Sequence, residues 1–125
     1  MRVLVLVGSL RADSLNRRLA DVVLRHLPDG SDAEVWTDLG DLPHYDQDLD
    51  LEPLPAPAAA LRAAVQRADA LVVVTPEYNG SLPSALKNAI DWASRPRGSA
   101  AIGGKPTAVL GASMSPYAAR WARED

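Results

Sequence analysis

Cysteine is absent from this 125-residue chain, and that gap excludes disulfides, thiolate zinc sites, iron–sulfur clusters and a cysteine nucleophile. It accords with a reducing compartment. A concentrated positive face is also lacking: 13 Lys and Arg residues lie scattered among 16 Asp and Glu, for a formal net charge of -3 at pH 7. Binding driven by phosphates needs a massed basic footprint, so nucleic acid is not an expected partner. No apolar run approaches the roughly 20 residues that span a bilayer. The opening MRVLVLVG is short and leads into RADSLNRR rather than a small-residue cleavage site, so it does not read as a signal peptide. The expectation is a soluble, cytoplasmic protein with no membrane contact.

What is present fits one globular domain over residues 1–125, with 47% hydrophobic and 23% charged residues and enough length for a single core. Residues 2–7, RVLVLV, are a short, nearly continuous apolar run, the pattern of a strand buried on both faces of a parallel sheet. Further strands are expected at 33–39, 70–75 and 107–113. Leu15, Leu19, Val22, Val23 and Leu27 fall at helical spacing and are closed off by Pro28 and Gly30. Leu61, Ala64, Val65 and Ala68 mark a second helix, and Leu86, Ala89, Ile90 and Ala93 a third, with Ser81 as its cap and Pro83 in its first turn. Residues 40–57 read as a long loop and RPRGSAAIGGKP as an exposed, flexible connection. Strands alternating with helical crossovers predict an α/β doubly wound parallel sheet.

Chemistry concentrates in two loops. In VLVGSLRADSLN a buried strand gives way to a helix N-terminus, whose unpaired N–H groups and positive dipole attract anions. Ser9, Ser14 and Asn16 add neutral donors there and Arg11 a fixed charge suited to phosphate. The second and third glycines of the dinucleotide fingerprint are missing, and no P-loop lysine follows, so side chains take over what bare backbone does in those motifs. The second loop, TPEYNGSLPSALKNAIDW, follows the third strand. In a doubly wound sheet the ligand sits beyond the strand carboxyl ends, where strand order reverses, which places these two loops together. Pro76 stiffens the entry, Gly80 permits a close approach, and Tyr78 and Asn79 suit a flat, polar-edged heterocycle.

GSLRADSLN and PEYNGSLPSALKNAIDW together resemble the NADPH-dependent FMN reductase family, and LPHYDQDLD is similar to the family's segment after the second strand. The resemblance runs from Met1 to about Ser113. It implies a flavodoxin-like three-layer sandwich with strand order 2-1-3-4, and FMN as cofactor with NADPH or NADH as co-substrate. Ser9, Arg11, Ser14 and Asn16 would hold the FMN phosphate. Pro76, Glu77, Tyr78, Asn79 and Gly80 would line the isoalloxazine ring, and Ser113 would complete the pocket edge. The implied reaction passes hydride from the nicotinamide to the flavin, then electrons to a quinone, azo compound, free flavin or metal oxyanion. Catalytic side chains are not required, because the flavin carries the redox chemistry.

Members of the family carry a fifth strand and a final helix, whereas this sequence stops at SPYAARWARED. A truncated domain is therefore expected, with an exposed fourth strand. Truncation, completion by another chain and self-association each account for the missing edge; the hypothesis taken up is self-association to a homodimer or homotetramer, with Trp92 and Trp121 as interface aromatics. A flavin-binding or electron-carrier module without nicotinamide turnover is the alternative; a phosphatase on a similar sheet is disfavoured by the missing cysteine. His26 reads as a surface or partly packed residue, and His44 as a loop residue rather than a substrate contact. Asp46, Asp48 and Asp50 read as a solvated loop, not a metal site, and Arg95, Arg97 and Lys105 as either a solvated loop or a 2′-phosphate contact.

Overall fold

The computed structural model describes all residues 1–125. Its strands are β1 (Arg2–Val7), β2 (Asp32–Trp36), β3 (Ala70–Val74) and β4 (Thr107–Leu110). The helices are α1 (Leu15–Arg25), α2 (Ala56–Arg67), α3 (Ser84–Ala93) and α4 (Arg120–Glu124), with short 3-10 turns at Leu39–Asp41 and Gln47–Leu49. All neighbouring strands are parallel, in the order β2-β1-β3-β4. This is the flavodoxin-like order.

Three layers follow from the alternation of side chains along the central strands. Leu4, Leu6, Leu71 and Val73 point to one face and join Leu61, Val65, Leu86 and Trp92 in a core beneath α2 and α3. Val3, Val5, Val7, Val72 and Val74 point to the other, where Ala20, Leu19 and Val23 of α1 cover them. Five of the six β1 residues are buried, each contributing about 1.5–3 kcal/mol relative to an exposed side chain. A strand covered on both faces has no polar positions, hence the unbroken apolar run.

The edges differ from the expected strands. β2 begins one residue earlier and ends at Trp36, and four of its five residues are exposed. β4 ends at Leu110, and Thr107 to Val109 are exposed along the other edge. The 40–57 loop carries the two 3-10 turns, and α2 already starts at Ala56, with a proline in its first turn. Ser81 does not cap α3: Pro83 holds the N-cap position, and the Ser81 hydroxyl donates to the Asp125 carboxylate. Nor is the 95–106 connection free of the core, since Ala101 and Ile102 pack against it and Lys105 Nζ donates to the Ala68 carbonyl at 2.6 Å.

Trp92 is no interface aromatic. It is fully buried, its indole N–H donates to the Pro43 carbonyl at 2.8 Å, and Arg62 lies over its ring at 5.5 Å. Trp121 is 45% exposed and stacks on Tyr117 at 4.9 Å. No helix is long and apolar enough to cross a membrane.

Candidate functional site

The loop leaving β1 folds so that its side chains organise the turn while its backbone donors stay free. Ser9 and Ser14 are both buried. Ser9 Oγ accepts from Arg11 N at 3.4 Å. Ser14 is the N-cap of α1, its Oγ accepting from Asn16 N at 3.1 Å, which satisfies one orphan donor of the first turn. The backbone N–H groups of Ser9, Leu10, Ala12, Asp13 and Ser14 have no acceptor. Arg11 is exposed and in no ion pair, whereas the nearby Asp13 carboxylate is paired with Arg18 at 2.6 Å. Free N–H groups, the positive end of an 11-residue helix and a free guanidinium thus occur together in one short loop. An anion is the ligand such a donor set accepts.

The loop after β3 is a hairpin. Tyr78 and Ser81 exchange both backbone hydrogen bonds at 3.1 Å. Asn79 and Gly80 have φ of 54° and 74°, and positive φ at both central residues is what a two-residue type I′ turn requires. Asn-Gly is the pair that adopts it most readily. The hairpin holds Tyr78 beside the first loop: a cleft of about 100 Å³ is lined by Gly8, Leu10 and Arg11 from one side and Tyr78, Pro83 and Ser84 from the other. Sequence-predicted residues of both loops are therefore brought together.

The remaining candidates are placed differently. Asn16 is buried, and its amide is taken up by the loop after β4. Nδ2 donates to the Ala112 carbonyl at 3.1 Å and Oδ1 accepts from Ala112 N at 2.9 Å. The expected phosphate donor is thus a tie from the first turn of α1 to the loop after β4, 96 residues away. Gly111 precedes that tie because a Cβ there would stand 2.8 Å from the Thr75 carbonyl and 2.7 Å from Ala119. Ser113, next to Ala112, is exposed and accepts from Ser115 N through its own hydroxyl. The Glu77 carboxylate turns towards α4, accepting from Trp121 N at 2.9 Å and Ala122 N at 3.3 Å, so only the backbone of Glu77 is left for a ligand beyond β3. Pro76 is half-buried at the base of the hairpin.

A network that spacing did not indicate fixes the long loop. Asn88 Nδ2 donates to the Pro43 carbonyl at 2.9 Å, and Asn88 Oδ1 accepts from Tyr45 N at 2.8 Å. Asp50 pairs with Arg62 at 2.7 Å and accepts from the Tyr45 hydroxyl at 3.1 Å. Asp50 therefore belongs to the packed structure, not to a solvated acidic loop, while Asp46 accepts from Asp48 N within its own turn. His26 is exposed, with Nδ1 2.8 Å from the Val22 carbonyl, and His44 is exposed. No cluster of three His, Cys, Asp or Glu side chains is arranged to hold a metal. At the opposite end of the sheet, hydrogen bonds from Trp36 and then Arg67 hold the Glu34 carboxyl below its ordinary range.

The family described as NADPH-dependent FMN reductase matches residues 1–125. A 2-hydroxy-1,4-benzoquinone reductase of a Burkholderia species is 46% identical over 114 residues, covering 91% of this chain and 61% of that one. A quinone reductase of Pseudomonas putida is 48% identical over 116 residues, covering 93% and 61%. Among solved structures, the flavoenzyme NAD(P)H:(acceptor) oxidoreductase FerB of Paracoccus denitrificans superposes with a TM-score of 0.90 at 41% identity, covering 98% of this chain and 66% of its own. The chain thus spans about three-fifths of the length of the curated relatives it matches.

Proposed function

Because the chain belongs to the NADPH-dependent FMN reductase family, we propose that it binds FMN at the carboxyl ends of its strands and uses NADPH or NADH to reduce a small acceptor such as a quinone. Azo compounds, free flavins and metal oxyanions are the other acceptor classes this chemistry serves. The observation that carries the reading is the set of free donors between Ser9 and Ser14, with Arg11 unpaired beside them. Bound there, FMN supplies acceptance of hydride from the nicotinamide and delivery of electrons to the acceptor.

The residues divide the remaining work. Arg11, the Ser9 and Ser14 hydroxyls and the backbone N–H groups between them hold the phosphate. Pro76, the Glu77 backbone, Tyr78, Asn79 and Gly80 border the ring, and the rigid turn at Asn79-Gly80 fixes where Tyr78 stands. Asn16 acts through Ala112, keeping that backbone and the neighbouring Ser113 against the first loop. None of these groups transfers a proton in the reading; they bind, orient and exclude water.

Self-association belongs to the same proposal. Met114, Tyr117 and Trp121 are exposed after β4, at 91%, 55% and 45%, and a second copy would cover them. Sedimentation is expected to show a dimer or tetramer; a monomer at high micromolar concentration removes this part. An enzyme that draws on the cellular nicotinamide pool is expected in the cytoplasm, which fractionation checks.

The test of the function is steady-state oxidation of NADPH and NADH by FMN-loaded protein with 1,4-benzoquinone. Turnover that requires both FMN and the quinone is expected. Retention of FMN with no nicotinamide oxidation would replace the reductase by a flavin carrier.

A further inference from the structure

The helix α4 does not hold itself. It has five residues, too few for its own hydrogen bonds to outweigh the cost of starting a helix. Its N-cap, Ala119, has no side chain that could accept from the first turn. Ala118 and Ala119 stand at φ 48° and 56°, a left-handed backbone that is strained without glycine and persists only where the surroundings impose it. Ala119 and Ala122 are buried, but two methyl groups are a small seat.

The cap comes from the hairpin after β3. Glu77 Oε2 accepts from Trp121 N at 2.9 Å and from Ala122 N at 3.3 Å, so a carboxylate 44 residues earlier satisfies orphan donors at the positive end of α4. Glu77 is in no ion pair, and its charge is spent on this helix alone. After the helix, the Asp125 carboxylate accepts from the Ser81 hydroxyl. Glu77 and Ser81 flank the turn at Asn79-Gly80, so the hairpin grips α4 at both ends. The segment between β4 and α4 has one further anchor, the Asn16 amide on the Ala112 backbone. The loops after β1, β3 and β4 are thus joined in series: Asn16 links the first to the third, and Glu77 links the second to the third.

We propose that Glu77 is a positioning residue: by capping α4 it makes the hairpin and the segment after β4 move as one, and so holds the hairpin backbone where it meets the flavin ring. This rests on the flavin reading above. Hydrogen exchange in the ligand-free protein tests it first. Glu77→Ala is expected to speed exchange roughly tenfold or more at Trp121 and Ala122, which lose a charged acceptor. Faster exchange is also expected at Tyr78 and Ser81, whose bonds to each other the substitution leaves in place, with Val5 in β1 unaffected. Glu77→Gln keeps an amide oxygen as acceptor and should restore most of the protection at all four positions. FMN and riboflavin should both bind Glu77→Ala roughly 2- to 30-fold more weakly, by the same factor, because the ring side is disturbed and the phosphate loop is not. Unchanged exchange at Tyr78 and Ser81, faster exchange at Val5 as well, unchanged affinity for both flavins, or a loss confined to FMN would each overturn the proposal. Faster exchange in the hairpin of Glu77→Ala, when the unaltered protein binds neither flavin, would sink the flavin reading while upholding the tie.

Discussion

At the amino ends of the strands, Arg2 N donates to Asp69 Oδ2 at 2.7 Å, Arg67 pairs with Glu34 at 2.9 Å and Lys105 Nζ reaches the Ala68 carbonyl at 2.6 Å. At the carboxyl ends, the N–H groups of Ser9, Leu10, Ala12, Asp13 and Ser14 are free and Arg11 has no partner. The amino-end cleft, lined by Arg2, Asp32, Glu34 and Arg67, is the larger, at about 240 Å³ against about 100 Å³ beside Arg11. Size therefore does not mark the site. Charged groups that satisfy one another hold elements together, whereas donors left free at a helix N-terminus are arranged for something that is not part of the chain.

Four substitutions probe that contrast. Asn16→Ala removes both partners of the Ala112 backbone and leaves two partly buried groups unpaired, so a loss of about 2–4 kcal/mol of stability is expected in urea denaturation, together with weaker FMN binding. Arg11→Ala is the opposite kind of change: FMN affinity should fall by about 1.5–3 kcal/mol in a fluorescence titration, with the denaturation midpoint unmoved. An equal effect on stability would mean that Arg11 is structural after all. Gly80→Ala puts a side chain at φ 74° in otherwise open space, so strain of about 1–2 kcal/mol is expected from the backbone alone, read as a lower melting temperature.

The smallest effect is expected at the amino end. Glu34→Gln should cost under about 1 kcal/mol, because the pair with Arg67 is half-exposed and solvent screens it. Its pH dependence has a definite sign. The Glu34 pKa is lowered on folding, so its contribution is present above the unfolded value and is lost as pH falls through the folded one. Melting curves of the two proteins should therefore converge only once the pH has fallen below the lowered folded value, where the carboxyl is protonated in both states. A difference that persists there would assign the effect to packing.

How far the sequence could be read follows from the range of each interaction. β1 and β3 are legible because burial on both faces leaves an unbroken apolar run, and the conformations of the loops that follow them because Ser14 as a cap and Asn79-Gly80 as a turn act within a few residues. Edge strands β2 and β4 lack that double burial, so the apolar pattern does not mark their ends. Asn16 reads as a phosphate donor until the fold brings Ala112 to it. Trp92 reads as available for an interface until the Pro43 carbonyl and Arg62 arrive from other parts of the chain. No spacing rule encodes such contacts, since each depends on a crossover already being complete.

The central claim is that the loop after β1 is a phosphate site built from Arg11 and free backbone donors. The most direct measurement is a parallel titration of the purified apo-protein with FMN and with riboflavin, which differ only in the phosphate. FMN is expected to bind at least about tenfold more tightly, the contribution of one charge-assisted hydrogen bond. Equal affinity for the two flavins, or binding of neither, would contradict the account.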